Sequence, residues 1–300
     1  MEKKKTRLLH VHAFLFDKYT ALKQLLLVNP TLDKLYEFTM IELHRITKLS
    51  SKEVEKFYKF LHSTNSSELL QSYNQLSIQI TTIFDHDYPI LLKNIFDPPF
   101  VLYMLGKKEL LQTDKLISLI GSRKPTMFAN IIGNELIPPL VNEGWITISG
   151  LARGIDTLVH EKTIQSNGST IAVIGNGFQY IYPKENEKLS KLIARNHLLL
   201  SEYPPFIPPQ KWYFPKRNRI IAGLSKGTVV IEAKEKSGTM ITADLALEYG
   251  REVFAVPGPF IMEEYIGCHR LIQSGAKLVV SANDIIQELE CCYRFIKKNN

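Results

Sequence analysis

Six short apolar runs alternate with helical stretches between residues 116 and 256, and this alternation constrains the fold more than any other feature of the sequence. The runs are Leu116–Ile120, Trp145–Ile148, Thr170–Ile174, His197–Ser201, Thr228–Ile231 and Glu252–Val256. Continuously apolar strands are buried on both faces, which is typical of a parallel sheet covered by helices on each side. The helix that joins two parallel strands makes a right-handed crossover between them. The pattern therefore predicts an α/β fold with a doubly wound, Rossmann-like, mostly parallel sheet.

The first 75 residues follow a helical pattern instead, with apolar residues recurring every three or four positions. The candidate N-caps are Thr31, Thr39 and Ser50. A chain of 300 residues is long enough for two domains. We therefore expect a small all-helical domain over 1–75 and a second domain over 76–300. The helical domain is either an adaptor with no site of its own or a module that binds DNA backbone or a partner. Within the second domain we expect a connector over 76–115 and a terminal helix over 282–297.

Composition narrows the class of protein. Apolar residues make up 45% and charged residues 22%, which is ordinary for a globular chain and argues against disorder. No uncharged apolar run approaches the roughly 18 residues that cross a bilayer, and the basic N-terminus lacks a cleavage signal, so we expect a cytoplasmic protein away from membranes. The three cysteines form no C-x-x-C and have no histidines at zinc spacing, so we expect neither disulfides nor a metal or other cofactor.

The segment from Pro204 to Lys226 is the most informative stretch of the chain. It contains five basic residues and no acidic one, in a chain of formal charge +7. Its prolines predict a stiff, extended loop in which aromatic residues are interleaved with cations: Lys211, Trp212, Tyr213, Phe214, Lys216, Arg217 and Arg219. Aromatic faces stack on unpaired bases while cations hold phosphates, so the pattern indicates single-stranded nucleic acid. The alternative is that the rings belong to the core and the cations are solvated.

Turns at the ends of the predicted strands are the other candidate sites, because ligands of such sheets bind there. Gly121-Ser-Arg123 combines a tight turn, a helix N-terminus and a guanidinium, which together suit an anion. Ser237 and Gly238 open a later helix whose N–H groups suit a phosphate. Plain helix capping and solvated side chains are the alternatives at both turns.

Two further strand ends give weaker signals. Gly150 and Gly154 allow close backbone approach, and Asp156 with His160 four residues on favours capping over acid–base chemistry. Gly175-Asn-Gly-Phe-Gln-Tyr180 begins like a dinucleotide fingerprint but has tyrosine at the third glycine position. The chain also contains no P-loop motif.

Taken together, the motifs resemble the DNA-processing protein A family (DprA/Smf) of bacteria. Eight of them occur in order between Tyr88 and Leu278: Asp97-Pro-Pro, Gly-Ser-Arg123, Ser-Gly-Leu-Ala-Arg-Gly-Ile-Asp156, Tyr-Pro-Lys-Glu-Asn186, Ser-Glu-Tyr-Pro-Pro205, Phe-Pro-Lys-Arg-Asn-Arg-Ile-Ile-Ala-Gly-Leu-Ser225, Lys-Ser-Gly-Thr-Met-Ile-Thr-Ala243 and Gly-Arg-Glu-Val-Phe-Ala-Val-Pro-Gly258. The helical N-terminal region resembles the sterile-alpha-motif-like (SAM-like) domain of many members. The C-terminal winged helix that many members carry is expected to be absent here.

The resemblance implies a non-enzymatic protein that binds and protects incoming single-stranded DNA, self-associates as a homodimer and loads the RecA recombinase during natural transformation. Carried over by motif, Arg123, Lys211, Arg217 and Arg219 would hold phosphates, and Phe214 would stack on a base. The other nominated DNA-binding positions are Gly121, Ser122, Gly150, Arg153, Lys184, Lys216, Asn218, Ser237 and Gly238.

Two positions depart from the family pattern, and two other classes of function stay open. Gln179 stands where the family usually has aspartate, and His269 where it has asparagine, in the stretch Ile261–Leu278 to which we assign self-association. One alternative class is a pure scaffold that recruits the recombinase or its partners, against which the aromatic and basic segment speaks. The other is a Rossmann-type nucleoside-monophosphate hydrolase, which would need Arg219 and Glu232 to pair in a dry pocket.

Overall fold

A nine-stranded sheet forms the centre of the computed structural model, which describes the backbone of residues 2–298 and the side chains of residues 3–290. Its strands are β1 (Gln79–Thr82), β2 (Val101–Gly106), β3 (Leu116–Ile120), β4 (Ile146–Ser149), β5 (Thr170–Ile174), β6 (Leu198–Ser201), β7 (Gly227–Val230), β8 (Glu252–Ala255) and β9 (Lys277–Leu278). The spatial order is β1-β2-β6-β5-β4-β3-β7-β8-β9. The pairs from β6 to β9 are parallel, whereas β2 lies antiparallel to both β1 and β6. The predicted doubly wound sheet is confirmed, and all six predicted strands are present to within one residue at each end.

Helices connect and cover these strands. They are α1 (Glu2–Leu15), α2 (Tyr19–Val28), α3 (Met40–Thr47), α4 (Ser51–Ser63), α5 (Ser66–Gln75), α6 (Ile90–Lys93), α7 (Phe128–Asn142), α8 (Ile155–Gln165), α9 (Glu187–Asn196), α10 (Tyr213–Leu224), α11 (Gly238–Glu248), α12 (Glu263–Gln273) and α13 (Ala282–Lys298). Short 3-10 turns lie at Lys108–Gln112 and Lys184–Asn186. In the described part of the chain, no helix combines the length and apolar character needed to span a bilayer.

Apolar clusters lie on both faces of the sheet, which explains why the central strands are apolar throughout. On one face, α10, α11 and α12 pack on the sheet through residues such as Ile221, Ala246 and Leu271. On the other face, α7, α8 and α13 pack through residues such as Ile137 and Val159. The layer order is therefore helix, sheet, helix, and the loops at the carboxyl ends of the parallel strands are left at one edge.

The N-terminal helices begin at the expected caps, with one exception. Thr39 and Ser50 each accept a backbone N–H bond in a full capping box, at the starts of α3 and α4. The expectation for Thr31 was wrong, because the residues between α2 and α3 form turns and not a helix. Leu32 has a φ of 55° there, which is incompatible with a right-handed helix.

The helical region is continuous with the sheet through the segment predicted as a connector. Residues Phe100, Val101 and Tyr103 belong to the same apolar cluster as the buried side chains of α1 to α5. Between β1 and β2 the chain forms the short helix α6, and β2 then pairs with β6. The domain boundary near residue 76 stays a prediction, since the last helix ends at Gln75 and the first strand begins at Gln79, but the apolar core crosses this point.

Candidate functional site

A cleft of about 610 Å³ opens at the switch point of the sheet, where the order in which the chain adds strands reverses. From β3 the chain proceeds outward through β4, β5 and β6, and it then returns to place β7 on the other side of β3. The carboxyl ends of two such strands leave a crevice between their loops, the usual ligand site of this architecture. Its lining includes nine of the nominated residues: Gly121, Ser122, Arg123, Lys211, Phe214, Arg217, Asn218, Ser237 and Gly238.

The loop after β3 is fixed by hydrogen bonds to neighbouring elements. The Ser122 N–H donates to the Glu232 carbonyl at 2.9 Å, and the Ser122 carbonyl accepts from the N–H of Ile155, at the start of α8, at 3.1 Å. Gly154 makes this approach possible, because its φ is 78° and a Cβ would lie 2.4 Å from the Ser122 oxygen. The backbone at Arg123 is therefore fixed at the rim of the cleft, and the Arg123 side chain is exposed.

Glu232 is buried beneath this loop and ties it to two elements. Its carboxylate accepts from the Thr126 N–H at 2.9 Å, from the Thr126 hydroxyl at 2.5 Å and from the Tyr265 hydroxyl at 3.0 Å. The carboxylate oxygens are thus occupied by neutral donors. The pair of Arg219 and Glu232 that a hydrolase would need is not formed.

Arg217 lies at the floor of the cleft and is almost entirely buried, and its contact with phosphate stays a prediction. Its Nη1 donates to the carbonyls of Gly150 and Val173, and its Nε donates to the Asn218 side-chain oxygen at 3.2 Å. Burial lowers the pKa of Arg217 to about 10, although Asp156 opposes the shift. Burial likewise raises the pKa of Asp156, and Arg217 partly offsets this. The residue supplies a fixed positive charge under the cleft.

Two aromatic rings border the cleft beside this charge. Phe214 is half-buried, and its ring lies against Gly175, where a Cβ would come within 3.0 Å of it. The ring of Tyr182 is 48% exposed and its centroid is 5.2 Å from that of Phe214. Of the neighbouring aromatics, Trp212 is exposed, whereas Tyr213 packs in the core against Tyr203 with 4.3 Å between centroids. The core interpretation is thus confirmed for Tyr213, whereas stacking on a base stays a prediction for Phe214.

The segment that carries these residues is not one extended loop, as we had predicted. The helix α10 begins at Tyr213 and a turn at Lys211 and Trp212 precedes it, so the extended part of the segment ends before Lys211. Pro215 falls in the first turn, where a missing N–H costs no helical hydrogen bond. This helix places Phe214 in the cleft and directs Lys216 and Arg219 elsewhere.

The N-terminus of α11 forms the opposite wall of the cleft. The Ser237 hydroxyl donates to the Lys234 carbonyl at 2.9 Å, so it does not cap the helix, and no other side chain of the described residues caps it. Uncapped N–H groups and the helix dipole favour an anion. Lys236 is exposed beside this end, and Lys234 pairs with Glu263 at 2.6 Å.

Arg219 is outside the cleft, and its nomination is corrected. Its guanidinium is buried between Glu202, at 2.6 Å, and Asp97, at 2.9 Å. Burial alone would lower the pKa of Arg219, but the two carboxylates outweigh it and raise the pKa. A phosphate would have to displace one of these buried partners, so Arg219 is a structural cation.

Four other nominations also lie away from the main cleft. Lys216 lines a different pocket, with Asp97 and Glu202. Gly150 and Arg153 border a small side pocket shared with Tyr182 and Phe214, and Arg153 pairs with Glu185 at 2.6 Å. Lys184 is exposed at the start of a 3-10 turn. Gly150 leaves room for the Arg217 guanidinium, since a Cβ there would lie 2.6 Å from the Arg217 nitrogens.

Sequence reasoning did not nominate Tyr182, Lys236 or Thr239, although the structure places all three on the cleft. The signal for Lys236 was its position directly before the Ser237–Gly238 turn. His160, considered with Asp156, instead bonds the Thr170 hydroxyl at 2.7 Å in the core. No Asp–His pair is therefore present at the second strand end.

The fold and the cleft together define a Rossmann-like protein with a cationic, aromatic-bordered crevice at its switch point. The chain belongs to the DNA recombination-mediator protein A family, whose model matches residues 79–290. This confirms the resemblance to the DNA-processing protein A family, and a DNA recombination-mediator role is the role of that family.

Relatives and solved structures agree with this assignment. The chain is 47% identical over 237 residues to DNA processing protein DprA of Bacillus subtilis, covering 79% of this chain and 78% of that protein. It is 46% identical over 209 residues to the Streptococcus pneumoniae protein, covering 70% and 73%. The crystal structure of the pneumococcal DNA processing protein A superposes with a TM-score of 0.82 at 35% identity, covering 96% of this chain and 98% of that chain. DNA processing protein A of Helicobacter pylori, described for its single-stranded DNA binding mode, gives a TM-score of 0.64 at 31% identity, covering 70% and 95%.

Proposed function

We propose that this protein binds single-stranded DNA, without sequence preference, in the crevice between β3 and β7. One observation carries the proposal. Arg123, Lys211 and Lys236 are exposed on the same cleft as the uncapped N-terminus of α11 and the rings of Phe214 and Tyr182, and none of the three cations has an ion-pair partner within residues 3–290. The described similarity to the Helicobacter pylori protein supports this assignment.

The arrangement favours a single strand over a duplex. A ring that borders a cleft can stack only on a base whose face is free, and each such contact is worth about 1–3 kcal/mol. Exposed cations at the rim attract phosphates, and releasing their counterions makes affinity fall with salt. The cleft offers charges and ring faces, which suit backbone and stacking contacts and do not distinguish one base from another.

The proposal is tested by fluorescence anisotropy with a labelled dT oligonucleotide of about 20 nucleotides, at two salt concentrations. Arg123→Ala combined with Phe214→Ala is expected to lower affinity by at least about a hundredfold, since one phosphate contact and one stacked base are lost together. The salt dependence should become shallower by about 0.7 in the log–log slope, the value for one phosphate of a single strand.

Lys216→Ala is the matched control, because Lys216 lies on the same helix as Phe214 but faces another pocket. It is expected to leave affinity unchanged. Equal binding by the double variant and the wild type would show that the DNA site is elsewhere. Tight binding to duplex DNA in preference to the single strand would contradict the stacking role.

We further propose that the bound strand is protected and then loaded onto the RecA recombinase, in the cytoplasm, during natural transformation. An open cleft that uses charges and ring faces leaves base edges available for pairing. In a strand-exchange assay on DNA coated with single-strand-binding protein, the wild type should shorten the lag before recombinase filaments form. A lag identical to that without the protein would overturn this part of the proposal.

Self-association as a homodimer is proposed for the stretch Ile261–Leu278. Ile261 is 79% and Leu278 44% exposed, next to Phe260, which is 85% exposed. His269 is half-buried, and its Nε2 lies 3.0 Å from the Gly258 carbonyl oxygen. Sedimentation equilibrium of the wild type against Ile261→Asp tests this, and a monomeric wild type would refute it.

We also propose that the protein acts by binding and not by catalysis. The Arg219–Glu232 pair needed for the hydrolase alternative is absent, because each partner is bonded elsewhere. Incubation with nucleoside monophosphates should release no free base by chromatography. Release that is abolished by Glu232→Gln would reinstate the enzyme.

A further inference from the structure

A groove of about 460 Å³ lies between α1 and α5, on the helical region and apart from the crevice. Six of its seven lining residues are polar or cationic, and none is acidic: Lys3, Thr6, Arg7, Ser67, Leu70, Gln71 and Asn74. Hydroxyls, amides and cations without a carboxylate suit an anion with many oxygens. The groove has one apolar residue, so it lacks the apolar centre that protein–protein interfaces have.

The basic start of α1 divides into two pairs with different roles. Lys4 lies over the Phe84 ring, 3.4 Å from its centroid, and Lys5 bonds the Ile80 carbonyl at 3.0 Å and Asp85 at 2.8 Å. These two residues fix α1 against the segment around β1. Lys3 and Arg7 are four positions apart, which places them on one face of the helix, and both line the groove. Neither has an ion-pair partner among the side chains of residues 3–290.

An aromatic-bearing loop leads from the crevice toward this groove. It begins at Lys211, which lines the crevice, beside the exposed Trp212. At its other end Phe206 is 42% exposed, and its ring centroid lies 6.4 Å from that of Tyr73 in α5. Asn74, the next residue of α5, lines the groove. The loop therefore extends from a residue that lines the crevice to a ring contact with α5, one residue before the groove residue Asn74.

We propose that the groove between α1 and α5 is a second contact for the phosphate backbone of the single strand held in the crevice. This inference rests on the proposed function and deepens it, because it gives the helical region a part in binding longer strands. Lys3 and Arg7 hold phosphates, while the side chains of Gln71 and Asn74 donate hydrogen bonds to their oxygens.

The test is Lys3→Glu combined with Arg7→Glu, titrated with dT oligonucleotides of about 6 and about 25 nucleotides, the first near the lower end of the usual site size of a single module and the second above it. Affinity for the long strand is expected to fall by about tenfold or more, and the log–log salt slope by about 1.4, for two phosphate contacts. Affinity for the short strand should be unchanged, because that strand fits in the crevice alone.

Lys52→Glu combined with Lys56→Glu is the matched control, since these two exposed lysines have the same spacing on α4 but do not line the groove. Equal losses in the two double variants, or an unchanged long-strand affinity for Lys3→Glu with Arg7→Glu, would overturn the inference. In the second case the groove would be left for an acidic protein surface.

Two further measurements keep the outcomes distinct. If charge reversal lowers the melting temperature, Lys3→Gln with Arg7→Gln removes the charges without adding repulsion, and the same length-dependent loss is expected. The failure of the proposed function itself looks different, because the wild type would then bind neither oligonucleotide in the crevice and Arg123→Ala would have no effect on either.

Discussion

Gly150 and Arg217 show how a single missing side chain places a charge in the crevice. The guanidinium of Arg217 reaches the carbonyls of Gly150 and Val173 only because Gly150 has no Cβ. A Cβ there would also lie 2.6 Å from the Asp156 carboxylate. The buried cation and the carboxylate that partly balances it are therefore both held by the size of this residue.

Gly150→Ala is expected to destabilise the fold by about 1–3 kcal/mol, the usual cost of overpacking, and to weaken single-strand binding because Arg217 must move. Urea unfolding measures the first effect and anisotropy the second. Gly238→Ala is the control for stability, since a Cβ at that position meets nothing within 4 Å. Equal unfolding midpoints for the two variants would contradict this account of Gly150.

At the scale of the element, α10 explains why neighbouring basic residues of one segment lie at different places. Its sequence contains Lys216, Arg217 and Arg219, and residues one or two positions apart on a helix do not share a face. Arg217 therefore faces the crevice floor while Arg219 reaches Asp97 and Glu202. The sequence showed that the segment is basic and aromatic, but reading it as an extended loop gave no means of separating these faces.

The strands and turns were more predictable than this helix. Runs such as Leu116–Ile120 and Thr170–Ile174 match the structure residue for residue, because burial on both faces leaves a continuous apolar signal. The turn at Gly121 was found because it directly follows such a run. The partners of Arg219 could not be found in this way, since Asp97 and Glu202 come from distant segments that only the packed fold brings together.

At the scale of the whole molecule, stability is expected to depend on pH through three buried histidines within residues 3–290. Each has Nδ1 on a hydroxyl group: His10 on Tyr36, His12 on Tyr103 and His160 on Thr170. Burial lowers the pKa of His10 to about 4 and the pKa values of His12 and His160 to about 3. Two of them lie in the helical region and one lies in a helix that packs on the sheet. Their effect on the free energy of unfolding is therefore expected for the chain as a whole.

The free energy of unfolding is expected to fall as the pH drops below about 6.5. The reason is that these histidines become protonated in the unfolded chain at pH values where they stay neutral in the folded protein. The contribution is fully present above the unfolded pKa and declines toward the folded values, by about 1.4 kcal/mol per pH unit for each histidine. Urea unfolding between pH 7 and pH 5 measures this slope.

His160→Gln should make the slope shallower by one such increment whatever its effect on stability at pH 7. His86→Gln, at an exposed position, is the matched control for the substitution itself. Parallel pH curves for the wild type and His160→Gln would show that this ring does not resist protonation.

Because the crevice lies at the switch point of the sheet, its two walls are synthesised at different times. One wall of the crevice, at Gly121–Arg123, is made more than a hundred residues before the other, at Ser237–Gly238, and the strands that bring them together pair Ile117 with Gly227. A nascent chain that has emerged only as far as β6 holds β4 on one side of β3 and fewer than half of the residues that line the cleft. The complete crevice therefore forms only after α11 has left the exit tunnel, and a chain cut short before that helix lacks the wall at Ser237–Gly238.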